Sequence, residues 1–339
     1  MNFDFTDDQH AIKRTARELL ADRITAEKVR ELAEAGRYDD DTWNELCELG
    51  WAGIFIPEEH GGQGLGVIEL VILMEELGYS LAPVPFLSNA AAGLALQFGG
   101  TPEQRARWLP GIASGAARGT VGVLEDGEAR LVPDAEGADL IVLYNRGGAF
   151  LVERGEADIE PIETMDSTRR FARVRAAGGD PLPGDGGDAP YRVVTALSAE
   201  LTGVAQRAME MAVAYARDRK QFGRPIGSYQ AVSHRCAQML LEVEGARSAS
   251  YYAGWCADAE PDTLPLAASI AKAYASDAGW RVSASALQVH GGIGFTWEHD
   301  LHFFLKRAKV DGLLYGTAAE YREGVAALSA LEAPLPAPA

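Results

Sequence analysis

The chain has 339 residues, 47% hydrophobic and 24% charged, which is enough apolar side chain for large cores and, at about 150 residues per domain, for two to three domains. Forty-nine Asp and Glu against 31 Lys and Arg leave a formal charge of −18, which repels a phosphate backbone or an anionic membrane and excludes nucleic acid as the expected partner. No apolar run reaches the ~18 residues of a membrane span, and the start MNFDFTDDQH lacks the basic and apolar regions of a secretion signal, so a cytoplasmic protein is expected.

Thr6-Asp-Asp-Gln9 reads as a capping box opening a helix of about 30 residues that ends at Gly36. A shorter helix is expected over roughly Asp41–Leu49, stopped by Gly50, and IFIPEEHGGQGLG then reads as a loop. Apolar residues recur at three and four from Val67 to Leu77, predicting a mostly buried helix, and another covers Asn89–Phe98. Thr101-Pro102-Glu103 starts one more, ending near Leu109 before Pro110. After Gly115 the period changes. Residues 120–124, 140–144, 150–152, 159–162 and 171–174 are short β-branched or alternating runs, a small β-domain of about 65 residues. GGDPLPGDGGDAP, residues 178–190, reads as a linker. From Tyr191 helical spacing returns, with helices over Leu197–Met211, Ser228–Ala257, Leu264–Leu287 and Glu320–Leu328, suggesting a four-helix bundle and a frayed tail LEAPLPAPA. The domains are therefore placed at 1–114 (helical), 115–185 (β) and 190–332 (bundle).

Two segments carry candidate chemistry. Arg217-Asp-Arg219-Lys220-Gln221-Phe222-Gly223-Arg224 puts four cations into eight residues of an acidic protein. One reading is an anion site, with Phe222 free to stack on a planar ring; the other is a basic helix C-terminus favoured by the macrodipole. Gln288-Val-His290-Gly291-Gly292-Ile-Gly294 follows a long helix and lets backbone N–H groups face a ligand, without the preceding strand of a dinucleotide fingerprint. His290, His299 and His302 lack a carboxylate constellation, so no metal site is expected. Cys47, Cys236 and Cys256 are read as reduced bystanders.

PEEHGGQGLG (57–66), EELGYSLAPVPFLSN (75–89), RKQFGRPIGSYQAVSHRCAQML (219–240) and QVHGGIGFTWEHDLHFFLKRAK (288–309) together resemble the flavin-dependent acyl-CoA dehydrogenase family, in the family's order and over nearly the whole chain. The resemblance implies a mainly α fold with a small β-domain: an N-terminal helical domain, a reduced middle β-domain and a C-terminal four-helix bundle. It also implies FAD, with Arg219, Gln221, Phe222, Gln288, Gly291, Gly292 and Thr317 as cofactor-binding residues acting across a subunit interface. The implied reaction removes a proton from the α-carbon of an acyl-CoA while hydride leaves the β-carbon, which requires a carboxylate base.

The sequence departs from its relatives at that base. The usual Glu lies in a segment like YEGT, whereas this chain reads Leu313-Leu314-Tyr315-Gly316-Thr317, with Tyr315 in the base position. A phenol of ordinary pKa is about 0.1% ionised at pH 7, roughly 4 kcal/mol from the needed form. An alternative base position in some relatives falls at Val193 or Val194, with no carboxylate nearer than Asp188 and Glu200. The flavin-contacting stretch is replaced by TVGVLEDGEARLVPDAEG and LIVLYN. This combination resembles the shorter partner subunits of actinobacterial heteromeric acyl-CoA dehydrogenases of steroid side-chain degradation, where a homologous Glu-bearing subunit supplies the base. A dimer or tetramer is expected, and electron-transfer flavoprotein is the family's electron acceptor. Two alternatives stand beside it: a homomeric dehydrogenase using Asp311 as base, and a non-catalytic acyl-CoA-binding or structural subunit.

Overall fold

The computed structural model describes residues 4–183 and 188–332. Thr6 opens the first helix as its motif predicts: the hydroxyl accepts from Gln9 N, and the Gln9 side chain accepts from Thr6 N. The single helix expected up to Gly36 is instead two, α1 (Asp7–Arg23) and α2 (Ala26–Ala35). Ile24 turns into the core between them, and the Thr25 hydroxyl accepts from Lys28 N, so a second cap restarts the helix within an unbroken apolar pattern.

Next come α3 (Asp40–Glu48), α4 (Val67–Ser80), α5 (Phe86–Gly99) and α6 (Pro102–Ser114). The free N–H groups at the start of α4 are met from far along the chain: Asp258 accepts from Val67 N at 2.9 Å and Ile68 N at 3.0 Å. The expected end of α6 before Pro110 is corrected. An interior proline removes one helical hydrogen bond, and burial of Leu109, Ile112 and Ala113 carries the helix past it to Ser114.

Two small sheets follow. β1 (Gly119–Val123), β3 (Leu140–Asn145), β4 (Gly148–Glu153) and β7 (Asp180–Leu182) lie in the order β1-β3-β4-β7, with β1 and β3 parallel. β2 (Glu128–Pro133), β6 (Phe171–Arg175) and β5 (Asp158–Ile162) form an antiparallel sheet in the order β2-β6-β5. Ala129, Val132, Ile141, Leu143, Val152, Ala172 and Val174 make their common core. Two strands are additions to the sequence reading: β2, hidden in a stretch of charges, and β7, which lies inside the expected linker and pairs with the edge of β4. Residues 184–187 of that linker fall outside the described residues.

The second helical part is built on α7 (Ala189–Asp218), α8 (Gln230–Ala259) and α9 (Leu264–His290), with α10 (Leu301–Asp311) and α11 (Ala318–Glu332) closing it. α7 is the axis of the molecule, touching α4, α5, α8, α9 and α10. It meets α4 backbone to backbone: a Cβ on Gly203 would lie 1.9 Å from Glu75 O, and one on Gly78 2.1 Å from Glu200 O. α10 was not expected, because its buried face includes His302, Arg307 and Asp311, which break the apolar period. The part of the LEAPLPAPA tail beyond residue 332 lies outside the described residues. The three cysteines are free, and no described helix is long and apolar enough to cross a membrane.

Candidate cofactor site and active-site cleft

The cation-rich segment is a hairpin at the end of α7. β8 (Lys220–Gln221) pairs with β9 (Arg224–Pro225), and the two turn residues between them, Phe222 and Gly223, have φ of +52° and +78°. A two-residue turn with both φ positive matches the twist of paired strands, yet a bulky side chain seldom adopts it. The strained residue presents its ring almost fully to solvent, 93% exposed. Arg219, Lys220, Gln221 and Arg224 are exposed around it, and among the described residues none of the three cations makes an ion pair. In a protein of charge −18, unpaired cations beside an outward aromatic ring fit an anionic, ring-bearing group arriving from outside the chain.

The glycine segment lies at the same end of the bundle. Tyr215, one turn before Arg219, stacks on His290 with ring centroids 4.5 Å apart. Beyond His290 the chain turns at Gly291, φ +65°, and a Cβ on Gly291 or Gly292 would meet nothing within 4 Å. Their backbone is open to a ligand, and Gln288 is exposed one turn earlier. Six of the seven expected cofactor residues, Arg219, Gln221, Phe222, Gln288, Gly291 and Gly292, thus lie on two segments linked through the Tyr215–His290 stack. The histidines of this segment pack as rings. His290 meets His299 edge-on at 4.5 Å, and His302 lies between Trp297 and Phe303. Burial lowers all three, His302 to about 4.

Thr317 lies elsewhere, in a cleft of about 570 Å³ between the β2 side of the sheets and the start of α11. Its amide and hydroxyl are both taken by Glu320, at 2.6 and 2.8 Å, as the cap of α11. Tyr315 lines the same cleft with φ +58°, but its hydroxyl is turned inward, buried and without a hydrogen-bond partner. Burial pushes the phenol well above its ordinary range, with Arg169 pulling the other way, so ionisation is harder than in water. The carboxylates that reach the cleft are ones the sequence reading passed over: Glu125, Glu128 and Glu320. Glu320 is lowered by its bonds to Thr317, and Glu128 is paired with Arg173 and Arg175. Val193 and Val194, the alternative base position, are buried in α7.

Behind Tyr315 lies a buried ion network that no periodicity announces. Arg307 donates to Asp166 Oδ2 (2.6 Å), Glu200 Oε1 (2.8 Å) and the Thr168 hydroxyl (2.6 Å). Arg169 donates to Glu200 Oε1 (2.5 Å) and Asp311 Oδ1 (2.7 Å). Asp311 is fully buried and does not line the cleft. Its candidacy as a base is corrected by this geometry: α10 ends at Asp311, so the spacing of four to Tyr315 is not a helical one, and the carboxyl faces Arg169 instead of the cleft.

Residues 6–116 match the acyl-CoA dehydrogenase N-terminal domain, and residues 192–328 the acyl-CoA dehydrogenase C-terminal domain. The chain belongs to the acyl-CoA dehydrogenase family, whose members use FAD to oxidise acyl-CoA. It is 36% identical to acyl-CoA dehydrogenase IpdE2 of Mycobacterium tuberculosis over 304 residues, covering 89% of this chain and 91% of that protein. Its fold superposes on a chain of the ChsE4-ChsE5 complex from Mycobacterium tuberculosis with a TM-score of 0.88 at 27% identity, covering 98% of this chain and 100% of the other. It also matches a chain of the Tcur3481-Tcur3483 steroid acyl-CoA dehydrogenase G363A variant, with a TM-score of 0.86 at 29% identity and coverage of 96% and 98%.

Proposed function

We propose that this chain is one subunit of a two-chain, FAD-dependent acyl-CoA dehydrogenase, in which it completes the cofactor site while a homologous partner supplies the catalytic Glu. The observation that carries the reading is the contrast between its two halves. The Arg219–Arg224 hairpin and the Gly291-Gly292 turn present donors and an aromatic ring outward, whereas the base position holds an inward-facing phenol that burial makes harder to ionise.

Arg219 and its neighbours would hold the pyrophosphate and adenosine side of FAD that is bound mainly by the partner, with Phe222 against its ring and the Gly291 and Gly292 amides at the phosphates. FAD bound there supplies the hydride acceptor for α,β-dehydrogenation of an acyl-CoA thioester. This chain orients the cofactor and excludes water from it; proton abstraction falls to the partner. The two-chain complexes among its structural relatives and the steroid named for one of them support a heteromeric dimer or tetramer acting on a steroid-type acyl-CoA; a cytoplasmic location and an electron-transfer flavoprotein as acceptor complete the proposal.

Co-expression with a Glu-bearing homologue, followed by measurement of flavin per polypeptide, tests this. A complex with fewer flavins than chains, active only when both are present, is the expected outcome. One FAD per chain in a purified homo-oligomer that turns over acyl-CoA unaided would overturn it, and a flavin-free assembly would favour the structural-subunit alternative.

A further inference from the structure

Among the described residues, three buried oxygens around Arg169 have no hydrogen-bond partner: Glu200 Oε2, Asp311 Oδ2 and the Tyr315 hydroxyl. They belong to one cluster, because Asp311 and Glu200 each accept from a different terminal nitrogen of the same guanidinium. Arg169, Arg307, Asp166, Glu200 and Asp311 are all nine-tenths buried or more. Two cations face three carboxylates there, so one negative charge is in excess inside a dry interior. The remaining charged groups nearby, Lys272 and Asp134, are opposite in sign and offset each other, so the excess stands. Lys272, on α9, spends its three N–H bonds on the Ser276 hydroxyl and the carbonyls of Asp311 and Gly312, at 3.1, 2.9 and 3.3 Å. Asp134 is separately satisfied by the hydroxyls of Tyr38 and Ser88. Two carboxylates sharing one guanidinium repel each other, and a single proton removes both the repulsion and the excess charge. It also supplies a donor where Glu200 Oε2 and Asp311 Oδ2 have none.

We propose that Glu200 and Asp311 hold one proton between them beneath Tyr315, and that this proton locks the 163–170 loop of the β-layer onto the helices at the back of the cleft. The lock joins three pieces of chain: Asp166, Thr168 and Arg169 from the loop between β5 and β6, Glu200 from α7, and Arg307 and Asp311 from α10. Burial raises Asp311 to about 7; Arg169 and Arg307 oppose the shift, while Glu200 and Asp166 add to it. Burial also draws Lys272 down to about 7, with Asp311 and Glu320 opposing. The proton is thus held on the acid side of neutrality and lost above it. Without it, two adjacent anions share one guanidinium, and the loop's hold on the helices behind Tyr315 weakens. This lock is a property of the chain by itself and does not depend on the subunit role.

Infrared spectroscopy of the full chain, with Asp and Glu carboxyl carbons isotopically labelled, reads the proton directly. A neutral carboxylic acid carbonyl band should be present on the acid side, titrate with a midpoint within about one unit of 7, and vanish in Asp311→Asn. No such band between about pH 5.5 and 8 in the wild type, or one that persists unchanged in Asp311→Asn, overturns the proposal. Should Asp311→Asn fail to fold, Glu200→Gln decides: removing the neighbouring anion should lower the midpoint by about one unit or more, a tenfold change in proton affinity, and an unmoved midpoint overturns the sharing. For the lock, amide exchange in residues 163–170, corrected for intrinsic rates, should speed up about tenfold or more across the titration, an effect absent from Asp311→Asn. Exchange that ignores the titration would sink the lock.

Discussion

A phenol whose hydroxyl is buried without a partner contributes a desolvated donor and nothing in return. Replacing Tyr315 with Phe removes that cost while keeping the ring against the cleft. The expected result is a complex whose turnover stays within about twofold of wild type and a subunit whose melting temperature does not fall; a collapse in turnover would show that the hydroxyl takes part in the chemistry. Arg219 tells the opposite story. An exposed, unpaired guanidinium facing a phosphate makes a charge-assisted bond worth roughly 1.5–3 kcal/mol, so Arg219→Ala should weaken flavin retention by about tenfold or more. Fluorescence of released flavin on dialysis measures it. Asp311 sets a pH dependence of stability. Its folded value of about 7 lies above the ordinary carboxylate range, so the proton it binds stabilises the fold in full below that ordinary range, and this contribution is lost as the pH rises through 7. Urea unfolding between about pH 5 and 8 should show a falling stability in the wild type and a flatter profile in Asp311→Asn.

Among elements, the crossing of α4 and α7 is the least tolerant. Gly78 and Gly203 allow two backbones to touch, and a methyl at either would lie about 2 Å from a carbonyl oxygen, closer than any Cβ contact survives. Gly203→Ala should therefore force the helices apart and cost more than about 2 kcal/mol, seen as a lowered midpoint in denaturant unfolding with an unchanged slope; a stable Gly203→Ala chain would mean that the crossing is looser than described. The helices themselves were mostly legible. The capping box at Thr6, the proline in the first turn after Thr101 and the apolar period of α4 and α7 act within a few residues, and a local code can be read locally. The errors have nonlocal causes. α10 was missed because Arg307 and Asp311, charged in sequence, are buried by partners on α7 and the β5–β6 loop. α4 starts where it does partly because Asp258, 191 residues away, takes its first amide. β7 escaped notice because a Gly- and Pro-rich strand is stabilised only by the edge it pairs with.

At the scale of the molecule, the proposed division of labour rests on the outward cationic hairpin and the inward-turned Tyr315 hydroxyl. A hairpin whose cations 219, 220 and 224 make no ion pair among the described residues gains its full interaction energy only when another surface brings an anion to it. The excess of acid over base makes that attraction sensitive to salt, because the hairpin is an isolated positive patch on a negative body. Flavin retention by the complex should therefore fall as ionic strength rises; retention indifferent to salt would argue that the hairpin does not hold the phosphates.

Composition, caps and the four motif segments determined the family and the order helical, β, helical, and singled out the cationic hairpin and the glycine turn, because these signals depend on side chains near in sequence and on outward-facing groups that need no partner to be recognised. Tertiary structure alone decided which way Tyr315 and Asp311 point, what Glu200 pairs with and which carboxylates reach the cleft. Those outcomes depend on burial and on charge pairs assembled from α7, α10 and the β5–β6 loop. The energy of a buried charge is set by what surrounds it in space, and no spacing along the chain encodes that.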